Sequence, residues 1–208
     1  MKINVFVSRT MGQNCYAVSR SDGIFLIDPG EYAPELERFL IENGHRVKYI
    51  LLTHCHFDHI GYLEEASRLC PESKIVISKE EQTALNDPNI NLSVMFGREN
   101  VTKKADLTVS DGTSLPFEGK EIKVISTPGH TEGSVCYLFE DNLFSGDTLF
   151  KESYGRTDLP TGDANKLFSS LKKLSLLDEK IAVYPGHGES TTIRYEKQYN
   201  PVMREFNF

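Results

Sequence analysis

The chain has 208 residues, a formal charge of −7 and an ordinary composition, with 39% hydrophobic and 25% charged residues. This length suits one domain, or two closely packed halves, with a sizeable core. The negative charge disfavours RNA and DNA as partners, and no stretch approaches the eighteen or so apolar residues of a membrane helix. The four cysteines form no CxxC pair and fit a reducing compartment. We therefore expect a cytoplasmic protein without a nucleic-acid or membrane partner.

The chain is predicted to open with three antiparallel strands. Residues 3–7 alternate between apolar and polar, and apolar runs follow at 14–18 and 24–27 with turn residues between the last two. The third strand ends at Asp28, which either caps a loop or orients a neighbouring functional group. A helix is predicted at 34–44, where a proline suits the start and a glycine suits the end.

Four side chains of the metal-ligand type then lie within six consecutive positions, after a strand predicted at 47–52. They are His54, His56, Asp58 and His59. Alternate residues of an extended segment share a face, so His54 and His56 are expected to point the same way and Cys55 to point away. Neutral imidazoles and carboxylates are ligands of Zn²⁺ and similar divalent ions. This segment between a strand end and a helix start is the predicted metal site.

The rest of the chain alternates between strands and helices. Strands are predicted at 74–78, 107–109, 115–117, 121–125, 135–139, 143–144 and 181–184. The stretch 79–100 is mixed, with a short helix broken at Asp87 and Pro88. A further helix is N-capped by Asp163, and its apolar face consists of Leu167, Phe168, Leu171 and Leu174.

Three of the predicted strands end in a glycine-flanked residue that could bind a metal: His130, Asp147 and His187. Each half of the chain, about 1–105 and 106–208, thus combines strands, helices and ligand-type residues at strand ends. We expect a single domain of the α/β class, with two mixed sheets packed face to face and helices outside.

Together these residues resemble a known family. The seven ligand-type residues, with segments 14–16 and 26–30, are similar to the motifs of the metallo-β-lactamase fold, a four-layer αβ/βα sandwich. The resemblance implies one metal on His54, His56 and His130, and a second on Asp58, His59 and His187, with Asp147 bridging both. Two divalent ions are implied, most simply Zn²⁺, although Fe or Mn suits the same mixed ligands.

The resemblance also implies the chemistry. Paired metals activate a bridging hydroxide for attack on a carbonyl carbon, and Asp58 is the residue implied to handle the proton as the intermediate collapses. Segments 155–160 and 185–188 are similar to the short glyoxalase II-like hydrolases, which cleave thioesters such as S-lactoylglutathione. The helical glutathione-binding domain of full glyoxalase II enzymes is not expected, so the substrate is a small thioester or another small ester.

Two residues near these segments are tentative candidates for substrate contact or ligand support. Arg156 binds a substrate carboxylate or pairs with Asp158, and the pairing is favoured. For Tyr154 the sequence favours neither role. The pattern makes no prediction of the oligomeric state.

Two other functions fit the same residues. A persulfide dioxygenase would use one Fe²⁺ on His54, His130 and Asp147, but the segment around His187 resembles the hydrolases more. A binding module that keeps the fold without catalysis is the second. Metal content and an assay of thioester cleavage distinguish these functions from a hydrolase.

Overall fold

The structure is a computed structural model that describes residues 1–97 and 101–206. Its strands form two six-stranded sheets and one two-stranded pair. The chain divides into two compact units, Met1–Val109 with Phe117–Gly119 and Ser110–Pro116 with Lys120–Phe208. Within the described ranges, every helix is too short or too polar to cross a membrane.

The first unit contains a mixed sheet of six strands in sequence order. They are Lys2–Val7 (β1), Asn14–Arg20 (β2), Gly23–Ile27 (β3), Val47–Leu51 (β4), Lys74–Ser78 (β5) and Leu107–Val109 (β6). Strands β1, β2 and β3 pair antiparallel, as predicted, whereas β3 to β6 pair parallel. Every residue of β3 is buried, as is typical of strands covered on both faces.

The helices of this unit are Pro34–Asn43 (α1), Phe57–Ile60 (α2) and Leu63–Leu69 (α3). Helix α1 begins at a proline and buries Leu36 and Leu40, which share a face because they lie four residues apart. The predicted helix 34–44 is therefore confirmed. Helix α2 starts directly after His56, so the ligand-type residues span a strand-to-helix connection, also as predicted.

The helix predicted within 79–100 is not an α-helix in the described part of that stretch, although the predicted break at Asp87 is confirmed. The chain forms 3₁₀ turns at Lys79–Glu81, Ala84–Asn86 and Ser93–Phe96 instead. The Asp87 carboxylate accepts hydrogen bonds from the backbone N–H groups of Asn89 and Ile90, and this local bonding competes with a continuous helix. Residues 98–100 lie outside the described residues.

The second unit is built on the other mixed sheet. In spatial order its strands are Thr191–Thr192 (β14), Ala182–Pro185 (β13), Asn142–Gly146 (β10), Val135–Phe139 (β9), Lys120–Ser126 (β8) and Ser114–Phe117 (β7). Leu149–Phe150 (β11) and Ser153–Tyr154 (β12) form a separate antiparallel pair. The helices are Ala164–Ser175 (α4) and Ile193–Tyr199 (α5), followed by a 3₁₀ turn at Met203–Phe206.

Helix α4 begins as the sequence predicts. The Asp163 side chain accepts hydrogen bonds from the N–H groups of Asn165 and Lys166, which satisfies two donors of the first turn. Leu167, Leu171 and Leu174 are fully buried. The inclusion of Phe168 in the buried face was wrong: this residue is 39% exposed, and its ring packs edge-on against Tyr154.

Candidate metal centre

Polar residues follow three neighbouring parallel strands of the first sheet. Asp28 comes directly after β3, His54 three residues after β4, and Glu81 three residues after β5. The carboxyl ends of parallel strands meet at one edge of a sheet. Residues far apart in sequence are therefore neighbours at this edge.

The buried Asp28 carboxylate joins two parts of the predicted ligand segment. It accepts hydrogen bonds from the Thr53 N–H (2.7 Å), from the Thr53 hydroxyl (2.6 Å) and from Nδ1 of His59 (2.9 Å). Sequence alone left Asp28 as either a loop cap or a residue that orients ligands. These contacts hold the ring of His59 in place, as the second role requires, and that role stays a prediction.

The same bonds determine which nitrogen carries the proton in two rings. A carboxylate only accepts, so Nδ1 of His59 is the donor to Asp28. The single hydroxyl hydrogen of Thr53 is donated to Asp28, so Thr53 Oγ1 accepts from Nδ1 of His54 at 3.1 Å. In both neutral rings Nε2 therefore carries the lone pair that a metal ion requires.

Cys55 lies between two predicted ligands but turns toward a different partner, Glu81. Its N–H donates to the Glu81 carboxylate (2.9 Å), and its thiol donates to the Glu81 carbonyl (3.5 Å). Both residues are buried. Burial and the adjacent carboxylate raise the pKa of the Cys55 thiol well above its usual range. As the strand alternation predicts, Cys55 has a structural contact outside the predicted ligand set.

Glu81 is a supporting residue that the sequence analysis missed. Replacing it by alanine is expected to lower the free energy of unfolding by about 1–3 kcal/mol, because the Cys55 N–H loses its buried acceptor. Metal affinity is expected to fall about 10–100-fold, since the backbone between His54 and His56 is released. Competition with a chromophoric chelator and unfolding of the metal-free protein measure the two effects.

Two controls make this prediction specific. Glu81→Gln keeps an acceptor oxygen and is expected to retain most of the affinity, and Glu80→Ala removes an exposed carboxylate next in sequence. If Glu81→Gln lost as much affinity as Glu81→Ala, the Cys55 hydrogen bond would not be the cause.

The second sheet has its own polar edge. Strand β9 pairs antiparallel with β8 and β10, and β10 pairs parallel with β13, so β8, β10 and β13 run in one direction. His130, Asp147 and His187 follow the ends of these three strands. Sequence-distant ligand candidates thus gather at one edge here too.

Asp147 is equally close to the two histidines of this unit. Its Oδ2 atom is 3.6 Å from Nε2 of His130 and 3.6 Å from Nε2 of His187. Nδ1 of His130 donates to the Arg156 carbonyl at 2.8 Å, so in the neutral ring Nε2 of His130 holds the lone pair. Two ligands at about 2.1 Å from a tetrahedral ion lie roughly 3.4 Å apart, so both separations fit shared coordination.

The loop after β12 approaches these residues closely. A Cβ atom at Gly155 would lie 1.8 Å from the Asp147 carbonyl oxygen and 3.2 Å from Nδ1 of His130, so only glycine fits this position. The Arg156 guanidinium makes two hydrogen bonds of 2.7 Å with Asp158 and lowers the pKa of that carboxyl to about 2. Arg156 supports His130 through its backbone, and Tyr154 packs against Phe168.

All seven predicted metal ligands occur in groups of three whose ligand atoms lie within 4.8 Å of one another. The groups are His54, His56 and His130; His54, His59 and Asp147; and Asp58, His59 and His187. Imidazole nitrogens and carboxylate oxygens are a donor set for Zn²⁺, Fe²⁺ or Mn²⁺. The overlapping groups suggest a binuclear metal site.

Comparison with known proteins identifies the family. The model of the metallo-β-lactamase superfamily matches residues 9–187. The chain belongs to this superfamily. A solved structure described as the BLEG-1 B3 metallo-β-lactamase has a TM-score of 0.90 and 35% identity, covering 97% of this chain and 99% of that one. The expected metallo-β-lactamase fold is therefore confirmed.

Relatives of this superfamily member include hydrolases. It is 34% identical to the probable metallo-hydrolase M6_Spy0554 of Streptococcus pyogenes, over 98% of this chain and 90% of the relative. It is 32% identical to the hydroxyacylglutathione hydrolase GloC of Haemophilus influenzae, over 98% of each chain. TTHA1623, solved in a di-iron-bound form, has a TM-score of 0.83 and 30% identity, with 95% of this chain and 98% of that chain covered.

Proposed function

We propose that this superfamily member is a metal-dependent hydrolase of small thioesters. His54, His56 and His130 would hold one divalent ion, Asp58, His59 and His187 a second, and Asp147 both. The observation that carries the proposal is the set of overlapping ligand groups, two of which coincide with the proposed ligand sets and the third of which includes Asp147.

A bound pair of ions would supply a hydroxide nucleophile near neutral pH and positive charge beside the carbonyl oxygen. The chain supplies orientation: Asp28 and Thr53 hold the rings of His59 and His54 through their Nδ1 atoms. Asp58 is buried, and its Oδ2 lies 3.8 Å from Nε2 of His59. We assign Asp58 to accept the proton released when water becomes that hydroxide, and to return it to the thiolate as it departs.

The substrate class rests on the leaving group and on a relative. A thiolate departs readily, so thioester cleavage needs no strong general acid beyond one carboxyl group. GloC is described as a hydroxyacylglutathione hydrolase, which supports S-lactoylglutathione or a related thioester as the substrate. Zn²⁺ is the ion we propose first, and the di-iron form of TTHA1623 supports iron as the alternative.

A thioester panel tests this function. Protein loaded with Zn²⁺, Fe²⁺ or Mn²⁺ is expected to release free thiol from at least one small thioester, with kcat/KM above about 10⁴ M⁻¹ s⁻¹. His56→Gln is expected to be inactive. His45→Gln is the matched control, because His45 is exposed and belongs to none of the ligand groups found among the described residues.

The outcomes separate the three functions. Turnover of no thioester with any metal would contradict the proposal, and absence of bound metal as well would indicate a binding module. Oxygen uptake with glutathione persulfide and one iron per chain would indicate a dioxygenase. A dioxygenase would need only His54, His130 and Asp147. All seven predicted ligands occur in the overlapping groups, which supports the binuclear hydrolase.

A further inference from the structure

A cavity of about 430 Å³ lies in the first unit beside the ligand segment. This volume is in the range of small-molecule sites. Five of its described lining residues carry large, mainly apolar side chains: Tyr32, Phe57, Ile60, Tyr62 and Val101. The lining therefore suits an apolar group.

The cavity adjoins the predicted metal ligands of the same unit. Phe57 and Ile60 bracket Asp58 and His59 on helix α2. Gly30 also lines the cavity, and a Cβ atom at this position would lie 1.6 Å from the Asp58 carbonyl oxygen. The cavity wall at Gly30 is thus in direct contact with the backbone of Asp58, the proposed catalytic residue.

A second cavity of about 170 Å³ shares Thr10, Glu31 and Phe57 with the first. Phe96 lines it and stacks on Phe57 with ring centroids 4.2 Å apart. Large apolar residues on the segments that line the two cavities are 38% to 68% exposed: Met11, Tyr32, Val94, Met95 and Phe96. Exposed apolar groups concentrated at one place are typical of a binding surface.

The polar groups of the first cavity disfavour a carboxylated ligand. Among its described lining residues none is basic, and the charged one is the acid Glu31. The hydroxyls of Tyr32 and Tyr62 both make long hydrogen bonds to Glu37, at 3.4 and 3.5 Å. Burial and Glu37 raise the pKa of the Tyr62 phenol, which therefore stays neutral.

We infer that this cavity binds an uncharged apolar substituent of the substrate, an aromatic ring or a chain of several carbons, in preference to a carboxylated one. The inference deepens the proposed function and, for its place in catalysis, rests on it. It narrows the substrate class to thioesters with an apolar group on one side of the reacting carbon, and so favours related thioesters over S-lactoylglutathione, whose glutathione part carries carboxylates.

A substrate series measures this preference. For thioesters that differ only in one alkyl substituent, kcat/KM is expected to rise roughly fourfold with each added methylene until the cavity is filled. A terminal carboxylate on the same chain is expected to lower kcat/KM at least about tenfold, because the charge must lose its hydration. A flat series, or equal rates for the carboxylated thioesters, would overturn the inference.

Binding without hydrolysis provides an independent measurement. Amide analogues, in which nitrogen replaces the thioester sulfur, carry either a hexyl or a carboxypentyl group and are titrated calorimetrically into the metal-loaded protein. The hexyl amide is expected to bind the wild type at least about tenfold more tightly. Tyr32→Lys is expected to weaken hexyl binding about tenfold, because one apolar wall is lost.

Tyr199→Lys is the matched control, since Tyr199 is similarly exposed but lies in helix α5 of the other unit. Equal effects of Tyr32→Lys and Tyr199→Lys, or no effect of Tyr32→Lys, would overturn the inference. If the amides bind as expected but no thioester is cleaved, the cavity assignment stands and the proposed function fails. If thioesters are cleaved without preference for apolar groups, the proposed function stands and the cavity assignment fails.

Discussion

Removal of divalent metal is expected to abolish thioester hydrolysis. The ions would contribute several kcal/mol of stabilisation to the transition state, so the metal-free protein should retain less than about one thousandth of the loaded rate. Stoichiometric Zn²⁺, Fe²⁺ or Mn²⁺ is expected to restore the rate. The measurement is thiol release before and after exhaustive chelation, with elemental analysis of each sample.

The same treatment should lower thermal stability, because a metal that binds only the folded chain stabilises it by mass action. At a free metal concentration of 1,000 times the Kd this amounts to about 4 kcal/mol. Thermal unfolding followed by circular dichroism, with and without metal, checks the effect, and His45→Gln should behave like the wild type. Hydrolysis that survives complete removal of metal would refute the binuclear mechanism.

Asp147→Asn is expected to lower metal affinity and hydrolysis more than any other replacement of a single carboxylate by its amide. The amide keeps the size of the side chain but removes the negative charge that lies 3.6 Å from both His130 and His187. We expect metal affinity to fall by more than about 100-fold, exceeding the usual effect of residues that only support a ligand. Hydrolysis should fall with it, by about 1,000-fold or more.

Asp141→Asn is the control for Asp147→Asn. Asp141 is an exposed carboxylate of the same unit, within 3.5 Å of the Lys180 ammonium group, and surface pairs of this kind contribute little. Metal titration of the two variants, with elemental analysis at saturation, compares them directly. Two tightly bound ions in Asp147→Asn would show that this carboxylate does not bridge.

Sequence patterns predicted the elements that carry the ligand candidates, because those elements obey local rules. Alternation identified β1, an apolar run identified β4, and the cap at Asp163 marked the start of α4. The strand ends then identified where ligand-type residues project. These signals depend only on residues near one another in the chain.

What the sequence did not predict depends on pairing between distant segments. The contact of Asp28 with His59 spans 31 positions, and that of Cys55 with Glu81 spans 26. Both follow from the parallel order of β3, β4 and β5, which no local pattern encodes. The acceptor for His130 is the backbone carbonyl of Arg156, and a carbonyl carries no residue-specific signal. A carboxylate soon after a strand end, the position of both Asp28 and Glu81, was the available clue.

The close approach at Gly155 has a consequence for how this protein can vary. The place occupied by a single hydrogen atom there leaves no room for a methyl group beside the Asp147 carbonyl. Substitution of Gly155 by alanine, usually a mild change, would force the backbone at this position away from the backbone of Asp147. The substitutions that are tolerated near this centre therefore depend on the room between backbone segments as well as on ligand chemistry.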